Sequence, residues 1–318
     1  MILMLGDQWK NQHTVQEAYL KAFCDPVPHE KTRASVLWVH SANEVPVRRV
    51  PRKCAVEPYF YCHDDNGQRS FLGEKFLSDL ESASGTVVKA ARNGNLPTTL
   101  RDSYTLTGYV AMSLVRTSTG KRFIDQATIN HSVKQIRDLI NDPVRHAEYC
   151  AAMERKTGKR MDPEESKRAL TGGKVRAVQT NRGWSLRMMA EMLMFFQQRF
   201  MGMRLLLMHA NDAFFVTSDC PVAVHDPATM PLLPQGFQSL EMRFPLSREY
   251  CLAGTYSPGP TRLELESDQV EKLNRFLVRQ ADRFVYAPFN VEYIQLELQD
   301  SLAKKLATQR DDVIQFFE

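Results

Sequence analysis

The chain has 318 residues, 43% of them apolar and 25% charged. That balance excludes a disordered or collagen-like protein and is enough to bury a core without disulfide staples. The net charge of +4 is unevenly placed: Arg145 to Arg187 carries eleven Lys/Arg against five Asp/Glu, a concentration that suits a polyanionic partner such as nucleic acid.

The first element is an amphipathic helix over Thr14 to Phe23, with Val15, Ala18, Tyr19, Ala22 and Phe23 on one face, stopped by Asp25-Pro26-Val27-Pro28. Ser35 to His40 has the branched and aromatic content of a strand. Val45 to Val50 can pair with it as an edge, since Pro46 and Pro51 interrupt it. Phe71 to Arg92 predicts a long helix, ended by Asn93-Gly94-Asn95, with Pro97 in the first turn of the next. That helix carries Leu100, Tyr104, Thr107, Ala111 and Leu114. Another runs from Phe123 to Ile140, and Asn141-Asp142-Pro143 separates a fourth.

Asp162-Pro163-Glu164-Glu165 is a helix start, with an acid at the cap, proline at the first position and acids facing the positive helix end. Ser185 to Ala210 predicts one helix of about seven turns through Met189, Met192, Leu193, Phe196, Phe200, Met203 and Leu207. Beyond it the period changes. Ala213 to Thr217, Met242 to Phe244, Tyr250 to Thr255 and Arg283 to Ala287 are short β-type runs. A helix begins at an expected capping box, Asp268 with Glu271, and the tail is helical.

Strands at both ends with helices between them give an α+β fold, helix-rich, in which a central helical bundle accompanies a small mixed or antiparallel sheet of N-terminal and post-210 strands. The expectation is a single domain over 1–318, with a helical part at 70–210 that exposes the basic segment 145–187. The most apolar run, Met188 to Ala210, contains Glu191, Gln197, Gln198, Arg199 and Arg204, so no membrane span is read. The start lacks the features of a secretory signal. Six scattered cysteines without a C-x-x-C read as reduced thiols of a cytoplasmic protein. Cys54, Cys62 and His63 lack the spacing of a structural zinc site.

His13-Thr14-Val15-Gln16-Glu17-Ala18-Tyr19-Leu20-Lys21-Ala22-Phe23 is similar to the HYVPxxYLxxF opening of the bacterial domain-of-unknown-function family 4238. Phe215-Val216-Thr217-Ser218-Asp219-Cys220-Pro221-Val222 resembles its FxTSDNPV signature, Phe244-Pro245-Leu246-Ser247 its FPLS element, and Leu273-Asn274 a late LN pair. Glu74 and Glu81 fall where members carry a glutamate-bearing helix. Thr14, Gln16 and Cys220 depart from the pattern, standing where tyrosine, proline and asparagine are usual. The resemblance implies architecture and candidate positions, and no activity.

Three residues are candidates for chemistry. Asp219, at the end of a strand, is a metal ligand or general base, or else the cap of a turn before Pro221. Glu81 lies one heptad after Glu74 on the same helix face, positioned to join Asp219 across a groove or to sit in a solvated face. His13 opens the first helix as a base, a ligand or a backbone-bonded polar residue. A Ser218 nucleophile lacks a G-x-S-x-G elbow.

Two function classes follow. One is a metal-dependent phosphodiester hydrolase or nuclease. In it Glu81 and Asp219 hold magnesium or manganese, His13 assists proton transfer, and Lys167, Arg168, Lys174, Arg176, Arg182 and Arg187 bind nucleic acid beside Trp184. The other is a non-catalytic intracellular interaction protein, in which Asp219 caps a turn and Glu81 pairs with a lysine or arginine.

Overall fold

The computed structural model describes residues 11–26, 34–61, 63–65, 68–171, 182–225 and 241–315. The described residues up to Ser70 hold mainly short strands. Strand β1 (Asn11–His13) leads to a one-turn helix α1 (Glu17–Leu20), which tightens into a 3-10 turn at Lys21–Phe23. The helix expected from Thr14 is therefore shorter, because Gln16, at ψ 135°, is still extended. Strands β2 (Leu37–Ser41) and β3 (Glu44–Arg49) form the expected hairpin, with β3 on the sheet edge. Then come β4 (Val56–Pro58), paired antiparallel with β1, and a small ribbon of β5 (His63–Asp65) and β6 (Gln68–Ser70).

Six helices follow: α2 (Leu72–Arg92), α3 (Leu100–Val115), α4 (Ser118–Asn141), α5 (Pro143–Thr157), α6 (Pro163–Thr171) and α7 (Arg182–Met201). Their ends follow ordinary capping. Asp142 accepts from the amides of Val144 and Arg145, both at 3.1 Å, and Asp162 accepts from Glu164 N at 2.8 Å. Helix α3 starts later than Pro97 suggested, because Thr99 caps it through Asp102 N. Helix α4 starts five residues before Phe123, capped by Thr117 through Gly120 N at 2.9 Å.

The single long helix expected over Ser185 to Ala210 is two elements. Helix α7 ends at Met201, and β7 (Arg204–Ala210) is a strand. A continuous Leu205-Leu206-Leu207-Met208 run has no period of its own. It is settled by its neighbours, since β7 lies between two strands of a sheet.

The remaining elements are β8 (Thr217–Ser218), β9 (Ala223–His225), β10 (Glu241–Pro245), β11 (Tyr250–Thr255), β12 (Arg262–Leu265), α8 (Ser267–Gln280), β13 (Phe284–Ala287) and α9 (Glu292–Gln315). Of the run Ala213 to Thr217, only Thr217 is in a strand. The box that starts α8 is Glu266 with Gln269, not Asp268 with Glu271.

The fold is α+β, as expected, but with two larger sheets where one was expected. The first has the order β3-β2-β13-β8 and is antiparallel, joining both ends of the chain. The second, β12-β7-β11-β10-β9, is antiparallel except where β12 runs parallel to β7. The largest buried apolar cluster draws on residues from Val15 to Tyr286. At its centre the Tyr19 hydroxyl bonds Thr217 Oγ1 and Pro245 O, each at 2.7 Å, and its ring stacks on Phe244 at 5.3 Å. One tyrosine of the opening motif thus fastens α1 to the Phe215–Val222 and Phe244–Ser247 motifs. Among the described residues no helix is long and apolar enough to cross a membrane.

Candidate functional site

Asp219 follows β8, where its amide donates to Phe284 O at 3.0 Å. Its carboxylate then turns back onto the loop before β13. Oδ1 accepts from Asp282 N at 2.8 Å, and Oδ2 accepts from Arg283 N at 2.8 Å and Phe284 N at 3.1 Å. Burial pushes the carboxyl up to about 6, against the three amides that favour its charged form. The turn it fixes is the α8–β13 turn, not the one before Pro221.

Glu81 and His13 meet elsewhere, around Arg116. This arginine ends α3 and is 3% exposed. Its Nη1 bonds the Glu81 carboxylate and its Nη2 donates to His13 O at 2.6 Å. The Tyr61 hydroxyl donates to Arg116 O, and Tyr61 N donates to the Gln12 side chain. One guanidinium therefore ties together β1, α2 and the end of α3. Burial lowers the His13 pKa, with Glu17 opposing and Arg116 assisting. Burial raises Glu74, although Arg116 pulls it down. His13 Nε2 and Glu74 Oε2 are buried without a hydrogen-bond partner. The structure brings His13, Glu74 and Glu81 to one guanidinium, while the carboxylate of Asp219 is engaged with the 282–284 amides.

Neither set is an open site, but together they frame one. In the β1–β4 ribbon, Glu57 stands opposite Gln12. Two residues past Arg116, Ser118 begins α4 and its hydroxyl donates to Glu57 Oε1 at 2.7 Å. From the turn that Asp219 clamps, Arg283 Nη2 donates to the same oxygen at 3.1 Å, and Asp282 pairs with Arg122 at 2.6 Å. Between these walls lies an open cavity of about 490 Å³. Its strand side carries Glu57, Tyr59 and Phe60, its helix side Ser118, Lys121 and Arg122, and its turn side Asp282 and Arg283. Tyr59 holds a left-handed φ of 54°, a conformation uncommon for a bulky residue.

Three cations against two carboxylates leave the lining net positive. The start of α4 adds the partial positive charge of a helix N-terminus. Among the described residues no three His, Cys, Asp or Glu side chains are grouped to hold a metal. The pair expected to bind magnesium or manganese does not assemble, with Glu81 on Arg116 and Asp219 on backbone amides.

Of the residues expected to bind nucleic acid, Lys167 and Arg168 lie exposed on α6, and Arg187 is exposed and pairs with Glu191 at 3.1 Å. Lys174 and Arg176 lie outside the described residues, as do the side chains of Arg182 and Trp184. Sequence reasoning missed Glu57, Ser118, Lys121, Arg122 and Arg283. The available signal was Thr117-Ser118-Thr119-Gly120-Lys121-Arg122, small polar residues followed by two cations, which is a cap and an anion-attracting first turn.

The model of the family "Protein of unknown function (DUF4238)" matches residues 11–288, and the chain belongs to that family. No curated protein and no solved structure is significantly similar to it.

Proposed function

We propose that this member of the DUF4238 family is an intracellular hydrolase of phosphodiesters, acting on nucleic acid in the cleft between β4, α4 and the α8–β13 turn. The observation that carries the reading is the lining itself: Lys121, Arg122 and Arg283 stand around an open cavity with a hydroxyl, two carboxylates and two aromatic rings. Cations neutralise phosphate charge, and aromatic faces accept unpaired bases. The exposed Lys167, Arg168 and Arg187 would extend the attraction along a longer strand. Buried free thiols at Cys24, Cys54, Cys150 and Cys251 fit a reducing compartment.

The test is binding and cleavage of short fluorescent RNA and DNA by the whole protein, in magnesium, in manganese and in EDTA. Support is salt-sensitive binding with product formation, and a Lys121→Ala/Arg122→Ala double variant that binds roughly tenfold or more weakly. Unchanged binding by that variant would remove the cleft as the site.

A second reading is favoured by the three amides on the Asp219 carboxylate and by the Glu81–Arg116 pair, both structural in form. It makes the protein a non-catalytic interaction module. Binding without cleavage in every metal condition would select it.

A further inference from the structure

We infer that Ser118 is a nucleophile and Glu57 its general base, an inference that rests on the phosphodiester reading of the cleft. The geometry has three parts. The Ser118 hydroxyl faces the cavity wall and donates to Glu57 Oε1 at 2.7 Å. The same carboxylate oxygen accepts from Arg283 Nη2 at 3.1 Å, so the base is oriented by a third group, which is the arrangement that activated nucleophiles share. Arg283 in turn sits on the turn whose backbone amides Asp219 holds. The distant aspartate of the TSD motif is thereby a positioning residue for this base.

The surroundings suit attack on phosphorus. Ser118 is the first residue of a 24-residue helix, where the helix dipole lowers the energy of negative charge. Lys121 and Arg122 follow at the third and fourth positions, on the same helix face as Ser118. Both line the cavity, where developing charge on the equatorial phosphoryl oxygens would meet them.

The step is a displacement. As the Ser118 Oγ–P bond forms, the serine proton passes to the Glu57 carboxylate. The P–O bond to the departing alcohol breaks, and that oxygen takes a proton from solvent at the open mouth. Ionised Glu57, restored by losing its proton to solvent, then takes a proton from water. The water oxygen attacks phosphorus, the Oγ–P bond breaks, and Ser118 Oγ takes back from Glu57 the proton drawn from the water, which leaves Glu57 ionised. One water is consumed and no oxidant or metal is required by the balance.

The experiment uses the full chain with bis(4-nitrophenyl) phosphate, whose aryloxide leaves without protonation. A burst of nitrophenolate and a phosphoryl adduct mapped to Ser118 by mass spectrometry are expected. Ser118→Ala should abolish both, and Glu57→Gln should slow turnover about 100-fold. Thermal melts of both variants establish that they are folded. Turnover by Ser118→Ala at the wild-type rate would overturn the nucleophile and leave the hydrolase reading standing. Absence of turnover by the wild type, with oligonucleotide still bound in the cleft, would overturn the nucleophile and hydrolysis together and leave binding. Neither turnover nor binding would overturn the phosphodiester reading itself.

Discussion

The buried polar ties and the open cleft beside them use the same residue types for different ends. Around Arg116 and at Asp219, charged groups are buried and bonded to backbone or to each other. In the cleft, Glu57, Lys121, Arg122 and Arg283 line open space; Arg283 pairs with Glu57 and Arg122 with Asp282 at its walls, and Lys121 pairs along α4 with Asp125. The family motifs mark the ties. His13, Tyr19, Thr217, Asp219 and Pro245 each fix one segment against another far away in sequence. Several residues that hold backbone are thus marked by the family motifs, while those lining the cleft stand beside them unmarked.

The largest way to break this contrast is at Arg116. Replacing it with methionine removes the partner of Glu81 and the donor to His13 O. The expected loss is about 3 kcal/mol of unfolding free energy, in the range for severing a buried pair, measured by urea denaturation. A loss under about 0.5 kcal/mol would show that the tie is not structural.

Asp219→Ala comes next. It leaves three backbone amides without their acceptor, at a cost of about 2 kcal/mol, because removing a buried charge offsets part of the loss. Amide hydrogen exchange should accelerate at Asp282, Arg283 and Phe284. Unaltered exchange there would contradict the clamp.

The acid side of the stability curve sharpens the picture of the ties. His40 is fully buried, and burial lowers its pKa to about 4, with a backbone contact to Phe289 opposing. The unfolded chain therefore binds this proton first, near pH 6.5, and His40 removes stability as pH falls from there to about 4. Asp219 has the opposite sign. Its pKa is raised to about 6, so the folded state holds the extra proton and stability falls as pH rises from about 4 to 6. His40→Leu should flatten the acid loss, and Asp219→Ala should steepen it. Parallel pH curves for wild type and both variants would refute these assignments.

The smallest stability effect belongs to the cleft. Lys121→Ala and Arg283→Ala remove exposed ion pairs and should change unfolding free energy by less than about 1 kcal/mol. Their effect should appear in oligonucleotide affinity and its salt slope. A large stability loss with unchanged affinity would make the cleft one more tie.

Much of the local structure was legible because it is local. Asp142 and Asp162 cap their helices through amides two or three residues away, and α2 spans Leu72–Arg92 against the Phe71 to Arg92 expected. The split of α7 from β7 was not legible, since Leu205 to Met208 suits either state until β11 and β12 flank it. The capping box of α8 was two residues away because its two acids, Glu266 and Asp268, compete for the same role.

Periodicity, capping and motifs were enough for the α+β class, most element positions, the family resemblance and the candidates His13, Glu81 and Asp219, but not for Arg116. These depend on periodicity, capping and backbone preferences, which act over a few residues. Only the tertiary structure decided that Asp219 meets amides 63 to 65 residues away, that His13 and Glu81 share Arg116, and that Glu57, Ser118 and Arg283 converge on one cleft. Such meetings depend on how separate elements pack, and no spacing along the chain encodes them.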